Sequence, residues 1–164
     1  MTPYLVTPPD GLPVSASDMK AHLRVTHNDD DAEITALQAG AVAMLDGWGG
    51  VLNRCILPQT WAIDVTGPGP HLLPFPDASS VTANGDAVTA ARCGAGFMVT
   101  LDAAAADETT IQATYGLSAE RLPLARTLIK LVVGRDFDAL AGPEYDAATR
   151  SIHSFIDTLR WRRL

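Results

Sequence analysis

The chain has 164 residues, of which 47% are hydrophobic, and a formal net charge of −7. This length and composition predict one folded domain with a hydrophobic core, and the absence of any run of eighteen apolar residues excludes a transmembrane helix. The acidic balance argues against tight nucleic-acid binding, which depends on neutralising phosphates with Lys and Arg.

Residues 1–14 are predicted to form an N-terminal arm. Four prolines in this stretch remove backbone donors and favour extended structure: Pro3, Pro8, Pro9 and Pro13. Two interpretations stay open, a loose tail or an arm that lies on a neighbouring subunit. In the second, the anchor is Tyr4, Leu5 and Val6. The stretch lacks the basic and apolar regions of a signal peptide, so the protein is expected to be cytosolic when made.

Residues 15–50 carry two successive helix signals. The first helix is predicted to open at Ser15 or Ser17, because either side chain can accept backbone N–H bonds as an N-cap. It is expected to run to about Val25, with Met19 and Leu23 on one face.

The second helix is predicted to open at Asn28 or Asp29. Acidic residues at 29–31 and 33 lie in its first turn, beside the positive end of the helix dipole. Large apolar residues recur at helical spacing on one face: Ile34, Leu37, Ala41, Met44, Leu45 and Trp48. The opposite side carries the small residues Ala36, Ala39, Gly40 and Ala43. We therefore expect this helix to pack on two sides.

Residues 56–115 are predicted to form an antiparallel β-meander of about five short strands. The strand candidates are residues 60–65, 80–83, 86–89, 96–101 and 109–115, with a short extended piece at 71–75. Asn84-Gly85 is the strongest two-residue hairpin signal in the chain. Alternation in the last candidate strand puts Thr109, Ile111, Ala113 and Tyr115 on one side.

Residues 118–141 and 144–164 have apolar residues at helical spacing and are predicted to contain helices. The first segment has a broad apolar face suited to packing against the 29–48 helix: Leu122, Ala125, Leu128, Ile129, Val132 and Val133, extended by Leu124, Leu131, Phe137 and Leu140. After the break at Gly142-Pro143, a last helix is predicted over Glu144–Arg160. Its apolar face carries Ile152, Phe155, Ile156 and Leu159.

The C-terminal segment is basic, with eight basic and five acidic residues in 121–164. One explanation is compensation of a helix dipole together with solubility. The other is a docking tail, because Trp and Arg are the residues most enriched in interface hot spots.

Residue spacing gives no support to a catalytic or metal site. His22 and His27 are five positions apart across a helix boundary, whereas two ligands on one helix face need a spacing of three or four. Cys55 and Cys93 match no metal-ligand spacing and are expected to be reduced, mostly buried thiols. No catalytic or nucleotide-binding fingerprint occurs. The chain is therefore predicted not to be an enzyme and to use no cofactor or metal.

Several stretches together resemble one known family. They are Met19-Lys20-Ala21-His22-Leu23-Arg24-Val25, Asp30-Asp31-Ala32-Glu33-Ile34 and Pro58-Gln59-Thr60-Trp61, with an echo at Thr114-Tyr115-Gly116 and Leu122-Pro123. The pattern resembles the head-to-tail connector (adaptor) family of long-tailed phages, prophages and gene transfer agents, which has no catalytic signature.

This resemblance implies a structural role in a phage-like particle. Members of the family form a dodecameric ring beneath the portal vertex, so the implied partners are sister copies, the portal protein and a neck, stopper or tail-completion protein. DNA would pass transiently through the ring without specific binding, and no membrane is involved. The implied location is the host cytoplasm during assembly and then the neck of the particle.

The resemblance also assigns roles to residues. The residues expected to dock on the portal are Arg150, Phe155, Leu159, Arg160, Trp161, Arg162, Arg163 and Leu164. The residues expected to pack between subunits are Tyr4, Leu5 and Val6.

The predicted fold class is α+β: a bundle of three to four helices with a small antiparallel β-sheet inserted between the second and third helices. Residues 1–164 are expected to be a single connector domain. Its parts are the arm (1–14), two helices (15–50), the β-meander (56–115), a helix (118–141) and a C-terminal docking helix with its tail (144–164).

Two other functions stay open. Another neck or tail-terminator protein would be expected to begin with strands. A small nucleic-acid-binding accessory protein would use the Arg160–Arg163 stretch for phosphate contacts and stacking.

Overall fold

A computed structural model of the chain describes residues 2–94, 96–102, 108–139 and 142–162. The chain divides into two compact units, each built from separate stretches of sequence. The unit called here the β unit comprises Met1–Asp10, Asn53–Ser118 and Trp161–Leu164. The unit called here the helical unit comprises Gly11–Leu52 and Ala119–Arg160.

Four helices form the described part of the helical unit: α1 (Ala16–Leu23), α2 (Asp31–Leu45), α3 (Leu122–Phe137) and α4 (Gly142–Leu159). The side chain of Ser15 accepts the backbone N–H of Asp18 at 3.1 Å, so Ser15 is the N-cap of α1. Arg24 ends this helix in the left-handed conformation, with φ of 58°. Of the two serines that could open the helix, the structure therefore selects the first.

The predicted apolar face of α3 is largely confirmed. Five of its residues are buried: Ala125, Leu128, Ile129, Val132 and Val133. Leu124 differs, because its side chain is 37% exposed. Helix α3 packs against α2 and against α4 within the helical unit. The predicted contribution of Leu140 lies outside the described residues.

The predicted buried face of α2 is wrong in part. The buried residues are Ile34, Gln38, Ala41 and Leu45, whereas Met44 is 42% and Trp48 44% exposed. Buried Gln38 donates its side-chain N–H to the backbone carbonyl of Val14 at 2.6 Å. This bond compensates the amide for lost water and turns α2 so that Met44 points away from the core of the unit.

The described part of the β unit contains eight strands: β1 (Tyr4–Thr7), β2 (Gln59–Thr66), β3 (Gly69–Leu72), β4 (Ala78–Ala83), β5 (Asp86–Ala87), β6 (Ala90–Cys93), β7 (Gly96–Leu101) and β8 (Glu108–Tyr115). They form a five-stranded sheet in the order β1-β2-β8-β4-β5 and a three-stranded sheet in the order β3-β7-β6. All strand pairs are antiparallel. The predicted hairpin is present, since Asn84 and Gly85 both have positive φ and join β4 to β5.

Buried side chains from both sheets form one core in the β unit. The predicted alternation in β8 is confirmed, since its four inward residues are buried: Thr109, Ile111, Ala113 and Tyr115. Phe75 stands between two other rings, with centroid distances of 5.4 Å to Trp61 and 5.0 Å to Tyr115. Both pairs are edge-to-face, the arrangement that the ring quadrupoles favour.

The fold is mixed α+β with four helices and antiparallel sheets among the described residues, but the predicted single small sheet between the second and third helices is wrong. The strands form two sheets, and β1 precedes α1 in sequence. Proline suggested an arm at the N-terminus; Pro3 and Pro8 instead flank an edge strand, where a missing backbone donor is tolerated. Ala90–Cys93 was missed because its small and polar residues carry a weak strand signal.

No helix in the described ranges is both long and apolar enough to cross a membrane.

Candidate functional site

The C-terminal helix presents only some of the predicted docking residues to solvent. Arg150, Arg160 and Arg162 are exposed, and Phe155 is half-buried. Leu159 is 1% exposed, so its side chain belongs to the packing of the subunit itself. Arg163 and Leu164 lie outside the described residues. Docking on a portal stays a prediction, and the structure directs it to the three exposed arginines.

Trp161 is seated on the β unit. A Cβ built on Gly96 would come within 2.8 Å of Trp161 Cζ2, so the indole occupies the space that any side chain at residue 96 would need. Gly96 starts β7 with a φ of +127°, a conformation that L side chains rarely adopt. The contact therefore holds Trp161 against the start of strand β7. In the sequence, the glycine at position 96 was the only signal for this contact.

The predicted subunit-packing residues lie on β1, at one edge of the five-stranded sheet. Tyr4 and Leu5 are each 45% exposed and Val6 is 44% exposed. The pairing of β1 with β2 is irregular between Leu5 and Thr7, which fits a bulge at Val6. Packing of this strand on a neighbouring subunit stays a prediction. The strand nevertheless exposes three consecutive apolar side chains, as such a contact requires.

One polar cluster fixes β1 to the outer face of its sheet. The hydroxyl of Tyr4 donates to Asp64 Oδ1 at 3.2 Å, and Thr110 Oγ1 donates to the same oxygen at 2.7 Å. Desolvation, and after it the hydrogen bond with Asp64, raise the pKa of Tyr4 above its ordinary value. The cluster contains one carboxylate and two hydroxyls, a composition that supports structure and not catalysis.

An apolar groove lies between α2 and α3 in the helical unit. It has a volume of about 330 Å³. It is lined by Glu33, Ala36, Leu37, Gly40, Ala41, Met44, Val132 and Asp136. Most of its lining is aliphatic, and its two carboxylates come from the start of α2 (Glu33) and the end of α3 (Asp136).

Charged side chains beside the groove already interact with each other. Arg135 Nε donates to Asp136 at 2.7 Å, and this bond raises the pKa of Arg135. The guanidinium of Arg135 also lies 5.3 Å from the centre of the Tyr145 ring. Glu33 is exposed in the first turn of α2. The carboxylate of Glu33 is therefore an exposed charge in the lining of the groove.

The sequence analysis named most of the residues that line the groove, but it did not predict that they form a concave surface. Ala36 and Gly40 were predicted to let another backbone approach closely, whereas Leu37 and Met44 were assigned to the buried face. The structure brings both sets together on one exposed side of α2. The available signal was that α2 is apolar nearly all the way around, which is typical of helices that are fully buried.

The structure locates the histidines and cysteines for which the sequence predicted no metal site. His27 lies 3.8 Å from Asp29 and 3.7 Å from Asp30, all on the surface. No group of three or more His, Cys, Asp or Glu side chains in the described ranges could hold a metal ion. Cys55 is buried, Cys93 is half-buried, and both are reduced thiols. The absence of a cofactor and of enzyme activity stay predictions.

Comparison with known proteins gives a structural likeness. No protein-family model matches the chain, and no curated protein is significantly similar to it. Among solved structures, the chain is similar to one from the neck of an empty GTA (gene transfer agent) particle, computed with C6 symmetry. The TM-score is 0.68 at 17% sequence identity, and the alignment covers 100% of this chain and 97% of that chain. The chain therefore shares the fold of a neck component along its full length.

Proposed function

We propose that this chain is a structural protein of the neck of a phage-like particle. In this role it forms a homo-oligomeric ring, a dodecamer, between the portal and the next neck or tail-completion protein. The observation that carries the proposal is the end-to-end likeness to the GTA neck chain, because both chains are covered almost completely. A shared fold does not by itself imply a shared role, but three features of the chain itself support this one.

The first feature is that two of the motifs carrying the connector resemblance meet in space. Gln59 and Thr60 of β2 pair with Tyr115 and Thr114 of β8, and the two threonine hydroxyls are 3.0 Å apart. A Cβ on Gly116 would lie 3.1 Å from the backbone nitrogen of Pro58. The motifs therefore specify one structural junction, in which a residue larger than glycine would push two backbones apart.

The second feature is the amount of apolar side chain left exposed. A ring of identical subunits is held by a heterologous interface, in which two different surfaces of one subunit meet. The described chain exposes apolar residues on β1 and on α2, at Tyr4, Leu5, Val6 and Met44. These surfaces supply more than one contact region, as ring closure requires. The C6 symmetry of the related neck is compatible with rings of six or twelve copies.

The third feature is the charge. With a net charge of −7, the subunit repels DNA phosphates more than it attracts them. A channel through such a ring lets DNA pass without being held. The exposed cations of the C-terminal helix suit an acidic surface on a partner protein, and we assign Arg150, Arg160 and Arg162 to the portal contact.

The alternative nucleic-acid-binding function finds less support. It needs Trp161 as a stacking platform for bases, whereas the indole lies over Gly96. The other alternative, a tail terminator, was expected to begin with strands, and the chain does begin with β1. The full-length likeness to a neck chain favours the connector role over a terminator.

The decisive experiment removes the protein from cells that produce the particle. Without it, we expect filled heads that carry a portal and no attached tails, as seen by electron microscopy, and restoration by the intact gene. A truncated variant lacking Arg160–Leu164 tests the portal contact, and Arg160→Ala with Arg162→Ala serves as its folded control for lost charge alone. Normal tail attachment in the full deletion would overturn the proposed function.

A further inference from the structure

Among the described residues, helix α2 buries one side. Its buried residues follow one helical stripe (Ile34, Gln38, Ala41 and Leu45), whereas most of its other side chains are small or aliphatic and exposed or half-buried. A helix that is apolar all round is normally buried all round. The exposed side coincides with the groove lined by Ala36, Leu37, Gly40 and Met44. This side of α2 needs a covering partner.

A second surface of the helical unit carries the opposite charge. Arg126 Nε donates to the carbonyl of Pro13 at 2.8 Å, and Leu12, the residue before Pro13, is 40% exposed. Lys130 follows Arg126 by four residues and therefore lies on the same side of α3. Leu12, Arg126 and Lys130 are here called the ridge: one projecting apolar side chain with two cations.

The groove and the ridge face in different directions. Successive α-helical residues are about 100° apart, so residues two apart differ by about 200°. On α3, Lys130 belongs to the ridge and Val132 lines the groove. On α2, Gln38 is hydrogen-bonded to Val14, which lies two residues after Leu12 in the sequence. Gly40, two residues after Gln38, lines the groove. On both helices the two surfaces are therefore turned away from each other.

We propose that the groove of one subunit binds the ridge of the next copy of this chain. Leu12 enters the gap above Ala36 and Gly40, where the helix has no bulky side chain. Arg126 and Lys130 face the acidic start of α2, where Glu33 is exposed. Two different surfaces that are opposite in charge and face in different directions suit the head-to-tail contact that closes a ring.

This inference rests on the proposed function, because it names the contact by which the proposed ring is built. It goes beyond that function by assigning the subunit interface to α2 and to the Leu12–Arg126 region. A ring held only by the exposed strand β1 would satisfy the proposed function and not this inference.

Cysteine trapping in assembled particles tests the contact directly. The chain would carry Leu12→Cys and Gly40→Cys, with Cys93→Ser to remove the half-buried thiol. Under mild oxidation we expect a ladder of disulfide-linked multiples of the 17.4 kDa chain. The matched control replaces Gly40→Cys by Ala39→Cys, which lies next to it in sequence but about 100° around the helix. The control is expected to give at least tenfold less cross-linked product.

The outcomes separate the two claims. If the chain is present in purified necks but gives no more ladder than the Ala39→Cys control, the interface inference is overturned and the proposed function stands. If the chain is absent from necks, both are overturned. Cross-linking from residue 40 to a different protein would show that the groove binds a foreign partner, and this also overturns the inference.

A steric variant provides an independent measurement. A Cβ built on Gly40 meets nothing within 4 Å outside the backbone of its own helix, and Gly40 lines the groove, so Gly40→Phe is expected to fold normally and fill the groove. We expect Gly40→Phe to abolish incorporation into necks, while Ala39→Phe is incorporated at wild-type level. Equal incorporation of the two variants would overturn the inference, with circular dichroism confirming that both are folded.

Discussion

At the residue scale, several side chains are specified by neighbours far away in sequence. Gln38 is buried because Val14 offers a carbonyl, and Trp161 is half-buried because residue 96 has no side chain. Neither partner can be recognised from local pattern, since each contact joins positions that are distant in the chain. The exposure of Arg150 and Arg160, by contrast, was predictable because charge and helical spacing are local properties.

Tyr115 should make stability depend on alkaline pH. Burial, and after it the neighbouring Cys55, raise the pKa of Tyr115 well above its ordinary value of 10. Above pH 10 the unfolded chain loses this proton and the folded chain keeps it. The free energy of unfolding therefore falls as pH rises, by about 1.4 kcal/mol per pH unit. Urea unfolding between pH 8 and pH 11 measures this slope, and Tyr115→Phe should make it shallower. An unchanged slope in that variant would contradict the assignment.

Gly96 should control the position of the C-terminal tail. In Gly96→Leu the new side chain collides with the Trp161 indole, and the positive φ adds backbone strain. We expect the indole N–H resonance of Trp161 to shift and its exchange with water to accelerate. Gly94→Leu is the control, because a Cβ there meets nothing within 4 Å. Matching spectra for the two variants would mean that the tail is not held by this contact.

At the element scale, local signals located most of the secondary structure but not how it is arranged. Strand β7 begins and ends where it was predicted, and the Asn84-Gly85 turn is in place. The orientation of α2 could not be predicted, because a helix with apolar residues on nearly every side has no periodic signal that selects its buried face. The predicted sheet lacked β1, because β1 pairs with residues more than fifty positions later in the chain and no local pattern indicates such a pairing.

Capping distinguishes the two serines at the start of α1. Ser15→Ala removes the acceptor for the N–H of Asp18, so we expect a loss of about 1 kcal/mol in the free energy of unfolding. Ser17→Ala is expected to cost only a few tenths of a kcal/mol. Ser17 lies within the first turn, and its side chain is not the acceptor for the N–H of Asp18. Denaturant titration of the two variants decides the point, and equal losses would argue against Ser15 as the cap.

Helix α2 should be stabilised by Gly40→Ala. Alanine favours the helix over glycine by about 0.8–1.0 kcal/mol, and the added methyl group has free space in the subunit. The reverse change next to it, Ala39→Gly, should destabilise by a similar amount. Thermal unfolding of the isolated subunit measures both. A loss of stability in Gly40→Ala would mean that this position is already covered.

At the scale of the whole molecule, charge predicts how the protein meets DNA. A subunit with a charge of −7 has few cations to replace counterions on a duplex. We expect no mobility shift of duplex DNA at 150 mM salt and only weak binding at low salt. Tight binding with a steep salt dependence would favour the nucleic-acid-binding alternative, and loss of that binding in Arg160→Ala with Arg162→Ala would locate it.

The interleaved order of the two units has a consequence for synthesis on the ribosome. Tyr4–Thr7 emerges early but must wait for Gln59–Thr66 before it can pair, and α2 must wait for α3, which follows all eight strands β1–β8. During translation, which proceeds at roughly 5–20 residues per second, both sheets can close while α2 still lacks its helical neighbour. The nascent chain thus passes through a stage with its most apolar helix uncovered, when capture by a chaperone competes with completion of the subunit.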